Sequence, residues 1–112
     1  MPYYMLQAAF TPATMVSMVK SPLDYHKRLR TIIGKLGGSL EGVWLAFGDY
    51  DLMALCQMPD DETMATLSMA FSADGGLRHI KTTSLISWDE GLHAMKRAGE
   101  IGYTTPEGTI VV

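Results

Sequence analysis

The N-terminal third of the chain carries first a continuous apolar run and then apolar residues at helical spacing. Tyr3 to Phe10 is aromatic and aliphatic with one polar interruption, Gln7, and predicts a buried strand. A short helical turn is expected around residues 13–19, and Ser21-Pro22 supplies an N-cap hydroxyl and a first-turn proline for a longer helix. The apolar residues of that helix predict one buried face: Tyr25, Leu29, Ile32, Ile33 and Leu36.

The pattern in the middle of the chain predicts a hairpin, a helix and a strand. Two apolar runs, Leu40 to Phe47 and Tyr50 to Met58, flank the two-residue turn signal Gly48-Asp49 and predict a β-hairpin. Residues 59–62, with three consecutive carboxylates, suit the positive end of a helix dipole. The buried face of that helix is predicted to hold Met64, Leu67 and Phe71. Arg78 to Ile86 predicts a fourth strand.

The C-terminal part begins with a capping box, Ser87-Trp88-Asp89-Glu90, which predicts another helix. Its inner face is predicted to comprise Trp88, Leu92 and Met95. The chain ends in the apolar segment Thr109 to Val112, expected to dock as an edge strand on its own sheet or on a neighbour's. We therefore divide the chain into a domain over residues 1–98 and a tail over residues 99–112.

The element order β-α-β-β-α-β predicts an α+β, ferredoxin-like fold with an extra C-terminal helix. Right-handed crossovers place both main helices on one face of a four-stranded antiparallel sheet of order 4-1-3-2. The other face should be polar if it met water, yet the neighbours Trp44-Leu45 and Leu52-Met53 put apolar residues on both faces. We therefore expect a second copy to cover it, giving a homodimer or a larger oligomer of dimers.

Composition narrows the choice of partners. The 112 residues suit a single domain, and the 19% charged fraction lies below the usual ~25%, which favours surface hidden in an oligomer. The net charge is −3 and no run of Lys or Arg occurs, so nucleic acid is not an expected partner. Neither a signal peptide nor a membrane span of ~20 apolar residues is apparent, and we expect a soluble, cytoplasmic protein with no membrane partner.

The hairpin residues Gly48-Asp49-Tyr50-Asp51 resemble the motif that gives the GYD-domain family its name. The resemblance covers about residues 2–95. Further matching features are the initial Met-Pro-x-Tyr strand and the segments Ser21-Pro22, Leu36-Gly37-Gly38 and Pro59-Asp60-Asp61.

The resemblance implies membership of the dimeric α/β-barrel superfamily, in which two ferredoxin-like sheets close around a cavity. It implies no established activity for the family. Superfamily relatives include cofactor-independent monooxygenases, haem-degrading enzymes, lactone isomerases and amino-acid-sensing domains, and fold cannot choose among them.

The turn motif has a catalytic and a structural interpretation. Asp49 and Asp51 beside the phenol of Tyr50 suit acid-base work. Turn chemistry is the simpler account, since Gly48 supplies positive φ and Asp tolerates a tight turn. In that account Tyr50 anchors the third strand by packing and its hydroxyl finds a backbone acceptor.

Gln7 is an isolated amide in the predicted central strand, and a buried amide must be paired. Strand alternation puts Tyr3 and Gln7 on one face, and an antiparallel neighbour would add His79, Lys81 and Thr83. Trp44 and Cys56 are expected to join from the hairpin. The candidate ligand-binding set is Tyr3, Gln7, Trp44, Cys56, His79 and Lys81. Ordinary packing is the alternative interpretation.

The histidines offer candidate bases but no metal site. His26, His79 and His93 lack the short spacing of a zinc or iron site, so we predict no metal. His26 lies at the edge of an apolar helix stripe and is expected to face a cavity or to be a hydrogen-bonded boundary residue. Cys56 lies on a buried strand without a basic neighbour in sequence, which favours an inert core thiol over a nucleophile.

Three function hypotheses follow. The first is a binding module whose dimer encloses a small, largely apolar molecule. The second is a cofactor-independent oxygenase or isomerase, needing no cofactor, with His26, His79 or Tyr3 as proton shuttle. The third is a purely structural assembly module.

Overall fold

The computed structural model describes residues 1–108, which form eight elements. The strands are β1 Tyr3–Phe10, β2 Ser39–Leu45, β3 Leu52–Gln57 and β4 Leu77–Leu85. The helices are α1 Pro12–Lys20, α2 Tyr25–Lys35, α3 Asp61–Ser72 and α4 Trp88–Glu100. The predicted terminal strand over residues 109–112 lies outside the described residues. No helix within residues 1–108 is long and apolar enough to cross a membrane.

The four strands form one antiparallel sheet of order β2-β3-β1-β4, which is the predicted order counted from the other edge. Strand β1 lies at the centre, with Leu6 opposite Ala54 of β3 on one side and opposite Thr82 of β4 on the other. The α+β, ferredoxin-like fold predicted from the element order is confirmed.

The core lies between one face of the sheet and helices α2 and α3. Alternate residues of β1 and β3 supply the sheet side: Tyr4, Leu6, Ala8, Phe10, Leu52, Ala54 and Cys56. The helices supply Leu29, Ile33, Met64, Leu67 and Phe71, as their apolar spacing predicts. Helices α2 and α3 therefore cover the same face of the sheet, and neither of them covers the opposite face.

Two helix starts agree with the sequence and one does not. Asp60 caps α3 by accepting from the Thr63 backbone N–H at 2.8 Å, and Ser87 begins α4 with the predicted capping box. The prediction that Ser21 caps α2 is wrong. The Asp24 carboxylate accepts from the Lys27 N–H at 3.2 Å, so the helix begins three residues later.

The hairpin joins β2 and β3 through residues 46–51 rather than through a two-residue turn. Gly48 has φ +126°, and the loop closes by a 2.8 Å bond from the Ala46 N–H to the Asp51 carbonyl. Asp51 also bonds β1: its N–H donates to the Ala8 carbonyl at 2.9 Å, and its carboxylate accepts from the Phe10 N–H at 2.8 Å. The prediction of a two-residue turn is wrong: six residues separate the two strands, and Asp51 within this loop bonds both Ala46 and strand β1.

Helix α4 buries none of its residues in the single chain. Its predicted inner residues are exposed: Trp88 at 73%, Leu92 at 40% and Met95 at 58%. The prediction that they face inward is wrong for one copy, because the sheet-helix core is already closed by α2 and α3 and α4 follows β4 at the sheet edge.

Candidate functional site

The sheet face opposite α2 and α3, called here the open face, gathers most of the predicted ligand-binding residues. Residues directly opposite in paired strands project to the same face, so the register defines its rows. Gln7 lies opposite Met53 of β3 and Lys81 of β4, and Met53 lies opposite Trp44 of β2. The resulting row runs from an indole through a thioether and an amide to an ammonium group, over three strand spacings or ~14 Å.

The neighbouring rows extend the face on both sides. One consists of Leu55, Met5 and Thr83, and the next of Gln57, Tyr3 and Leu85. On the other side, Ala9 lies opposite His79. The centre of the open face is apolar and half-buried even in one chain, with Met5, Met53 and Leu55 all of intermediate exposure.

Five of the six predicted residues lie on this face, and Cys56 does not. Tyr3, Gln7, Trp44, His79 and Lys81 share it by register. Cys56 is 1% exposed on the helix-covered face, where its Sγ lies 4.0 Å from the Met64 Sδ. Desolvation, with a smaller repulsion from Glu41, raises the pKa of the Cys56 thiol to about 11. The prediction that Cys56 lies on the same face as Gln7 is therefore wrong, since the even-numbered residues of β3 face the core.

Gln7 is the polar group at the middle of the open face. Its side chain is half-buried and forms no hydrogen bond with any of residues 1–108. An amide in this position keeps its donor and acceptor available to water, a second chain or a ligand. That it binds a ligand stays a prediction.

The turn motif lies at one end of the open face. The Tyr50 ring stacks on the His79 ring, with centroids 5.6 Å apart and an interplanar angle of 29°. The packing role predicted for Tyr50 therefore has its partner in His79 of β4. The backbone acceptor expected for its hydroxyl is absent among residues 1–108. No signal in the sequence connects Tyr50 with His79, because only the sheet register brings them together.

The other histidines lie away from this face. His26 is exposed on α2 beside Arg30, whose Nη2 lies 3.2 Å from the imidazole Nε2. Of its two expected positions, the helix-sheet cavity is wrong, while the alternative of a hydrogen-bonded residue has a partner in Arg30. His93 is exposed on α4. Within residues 1–108, no three acidic, Cys or His side chains cluster as metal ligands would.

A cavity of about 480 Å³ lies where β1 begins and β4 ends. Tyr3 lines it together with Leu85 of the open face and two carboxylate residues, Asp61 and Glu90. Next to it, the Tyr4 hydroxyl donates a short hydrogen bond to Asp61. This bond, with desolvation and the nearby charge, raises the pKa of Tyr4 to about 12. Sequence reasoning assigned Asp61 and Glu90 to helix starts only, since their convergence with Tyr3 depends on tertiary structure.

The fold and its open face define a ferredoxin-like α+β domain, and comparison with known structures agrees. The C-terminal domain of the MgtC protein from Mycobacterium tuberculosis superposes with a TM-score of 0.54 at 13% identity, covering 75% of this chain and 87% of that one. TTHA0845 from Thermus thermophilus gives a TM-score of 0.51 at 18% identity, with 78% and 95% covered. At these identities the likeness concerns the fold alone.

The sequence assigns the chain to a family within this fold. Residues 4–95 match the family model of the GYD domain, so the chain belongs to the GYD-domain family. A NIPSNAP domain protein from Burkholderia xenovorans is also similar, with a TM-score of 0.48, 18% identity, and 78% and 94% of the two chains covered. No curated protein matches the sequence.

Proposed function

We propose that this GYD-domain protein is an oligomeric binding module. Two copies associate through their open faces as a dimeric α/β barrel and enclose a small, largely apolar molecule. The observation that supports this is the composition of the open face: an apolar, half-buried centre of Met5, Met53 and Leu55 around the Gln7 amide, which has no hydrogen bond within residues 1–108. An apolar centre favours association, and an isolated amide within it suits one oriented polar contact.

The size of the face favours a second copy as its cover. A four-stranded face of this kind removes roughly 700 Å² or more per chain from water, close to the ~800 Å² per partner of specific interfaces. Trp44, with half of its surface exposed at the β2 edge, adds an aromatic group of the type that anchors interfaces. A two-fold axis through the open face would bury both copies' patches in one contact.

A pair of methionine substitutions tests the association. Met53→Lys places a charge in the middle of the open face, and it should convert the dimer to a monomer in size-exclusion chromatography with light scattering. Met69→Lys is the matched control, because Met69 is 70% exposed on the surface of α3 and should leave the dimer intact. A wild-type monomer at micromolar concentration would overturn the proposed dimer.

Native mass spectrometry of protein purified from its own host tests the ligand. We expect a dimer mass with an additional small molecule that is released on unfolding. A dimer that carries no molecule and binds no apolar probe would favour the purely structural module instead.

A second candidate, a cofactor-independent oxygenase or isomerase, is favoured by the position of Tyr3, which lines the 480 Å³ cavity beside Asp61 and Glu90. In this candidate Tyr3 would move a proton to or from the substrate. The released molecule, returned to the protein in air, would be converted, and Tyr3→Phe would abolish the conversion. An unchanged molecule leaves binding as the function.

We further propose that residues 99–112 join dimers rather than form them. The exposed residues Trp88, Leu92 and Met95 of α4 precede this tail in the sequence and add apolar surface for contact with another chain. Deletion of residues 103–112 should keep the dimer and reduce any larger assembly in the same light-scattering measurement. Loss of the dimer would instead assign the tail to the primary interface.

A further inference from the structure

The open face is chemically divided between its two sides. Toward β2 and β3 it carries Trp44, Met53 and Leu55, while the β4 side carries His79, Lys81 and Thr83. Gln7 lies on the boundary, with Met53 on one side and Lys81 on the other. A molecule lying along the Gln7 row would therefore meet apolar groups at one end and a cation at the other.

Lys81 is exposed on strand β4 and has no neutralising partner within residues 1–108. It forms no ion pair with any described residue. The Glu41 carboxylate accepts from Gln57 at 2.8 Å, two rows away at the opposite end of β3 from the turn motif. The Asp51 carboxylate is engaged by the Phe10 N–H. At the Tyr3–Leu85 end, the Asp61 carboxylate accepts from the Tyr4 hydroxyl and the Glu90 carboxylate accepts from the Ser87 hydroxyl, so these four carboxylates already have partners.

We infer that the ligand of the open face is an amphipathic organic anion, such as an aromatic or medium-chain carboxylic acid. This rests on the proposed binding function and specifies its ligand class. The apolar body lies over Met53 and Trp44, and the acidic head is held by the Lys81 ammonium with the Gln7 amide as second donor. Charge-assisted hydrogen bonds of this type are the strong ones, and burial by a second copy would strengthen them.

The alternative role for Lys81 is protective. Strand β4 is a sheet edge, and lysines on edge strands discourage pairing with other chains. In that case Lys81 would contribute to solubility and would not distinguish charged from neutral ligands.

A pair of fluorescent probes separates these roles. 8-Anilinonaphthalene-1-sulfonate carries a permanent negative charge, and N-phenyl-1-naphthylamine has the same aromatic body without it. The wild-type protein should bind the sulfonate more tightly. Lys81→Gln should raise the dissociation constant of the sulfonate ~10-fold, the effect of losing one charge-assisted contact, and leave that of the neutral probe unchanged.

Matched variants complete the design. Lys27→Gln makes the same charge change at an exposed position of α2 and should alter neither constant. Lys81→Arg keeps the charge and should keep most of the sulfonate affinity. Raising the ionic strength should weaken only the sulfonate in the wild-type protein, which tests the inference without any substitution.

The outcomes distinguish this inference from the function on which it rests. Equal affinity for the two probes, or unchanged sulfonate binding by Lys81→Gln, would overturn the anionic ligand and leave the binding module standing. Failure of the wild-type protein to bind either probe would overturn the binding module itself.

Discussion

Tyr50 of the hairpin loop stacks on His79 of strand β4, with ring centroids 5.6 Å apart, although 28 residues of intervening chain include helix α3. Strand β1 lies between β3 and β4 in the sheet, so the stack connects two elements that share no ladder. Next to it, Asp51 bonds the last residue of β1. The turn motif therefore joins the hairpin loop to the centre and the edge of the sheet.

The stack should contribute measurably to stability. Tyr50→Ala should lower the free energy of unfolding by about 1 kcal/mol, the worth of an aromatic pair. Tyr50→Phe keeps the ring and should change little in urea denaturation, because the hydroxyl has no partner among residues 1–108. An equal loss in both variants would show that the hydroxyl matters more than the ring.

The Asp51 carboxylate should contribute more to the free energy of unfolding than the Asp49 carboxylate. Asp51→Ala leaves the Phe10 N–H at the end of a buried strand without an acceptor, which should cost about 1–3 kcal/mol. Asp49→Ala is the control, since Asp49 is exposed and should stay within about 0.5 kcal/mol of wild type. Urea denaturation of both variants at neutral pH makes the comparison. Similar stabilities would contradict the structural role of Asp51.

Gly34, inside α2, and Gly38, between α2 and β2, should change stability in opposite directions when replaced by alanine. A Cβ at Gly38 would lie 2.4 Å from the Gln57 carbonyl oxygen and 2.6 Å from the Met58 Sδ. Because the nearer atom belongs to the backbone, Gly38→Ala should destabilise the fold by about 1–3 kcal/mol. Gly34→Ala, inside α2 with open space around its Cβ, should stabilise by about 0.5–1 kcal/mol. The midpoint of thermal unfolding of both variants is the measurement. A Gly38→Ala protein as stable as wild type would contradict the close approach of Gly38 to the Gln57 carbonyl oxygen.

The Tyr4–Asp61 hydrogen bond should make stability fall at alkaline pH. The pKa of Tyr4 is raised from 10.0 to about 12 in the folded chain, so the unfolded chain ionises first as pH rises. The contribution of the neutral phenol is complete below pH 10 and is lost as the pH approaches 12. Cys56, whose pKa is raised from 9.0 to about 11, acts in the same direction.

Substitution separates the contribution of Tyr4 to alkaline destabilisation from that of Cys56. Tyr4→Phe should have a flatter unfolding free energy between pH 10 and 12 than wild type, while Tyr103→Phe, at an exposed position, should follow wild type. Parallel pH profiles for wild type and Tyr4→Phe would rule out the linkage.

Local patterns in the sequence were enough to predict the four strands of the sheet, their order, and the faces of α2 and α3 that pack on it. Leu29 and Ile33, or Met64 and Leu67, lie at helical spacing, and such spacing decides burial once a sheet is present. Alternation along β1 likewise separated Leu6 from Gln7. These features depend on neighbours within a few positions, so one sequence contains them.

Tertiary structure alone decided the relations across the sheet. Several local predictions failed because a residue has more than one available partner, and only the folded chain selects one. Examples are the face on which Cys56 lies, the cap of α2 at Asp24 instead of Ser21, and the bonds of Asp51 to β1. The Tyr50–His79 stack and the row from Trp44 to Lys81 depend on register between strands distant in sequence. A one-residue change of register moves every side chain to the other face, and local pattern does not specify which cross-strand pairs then meet.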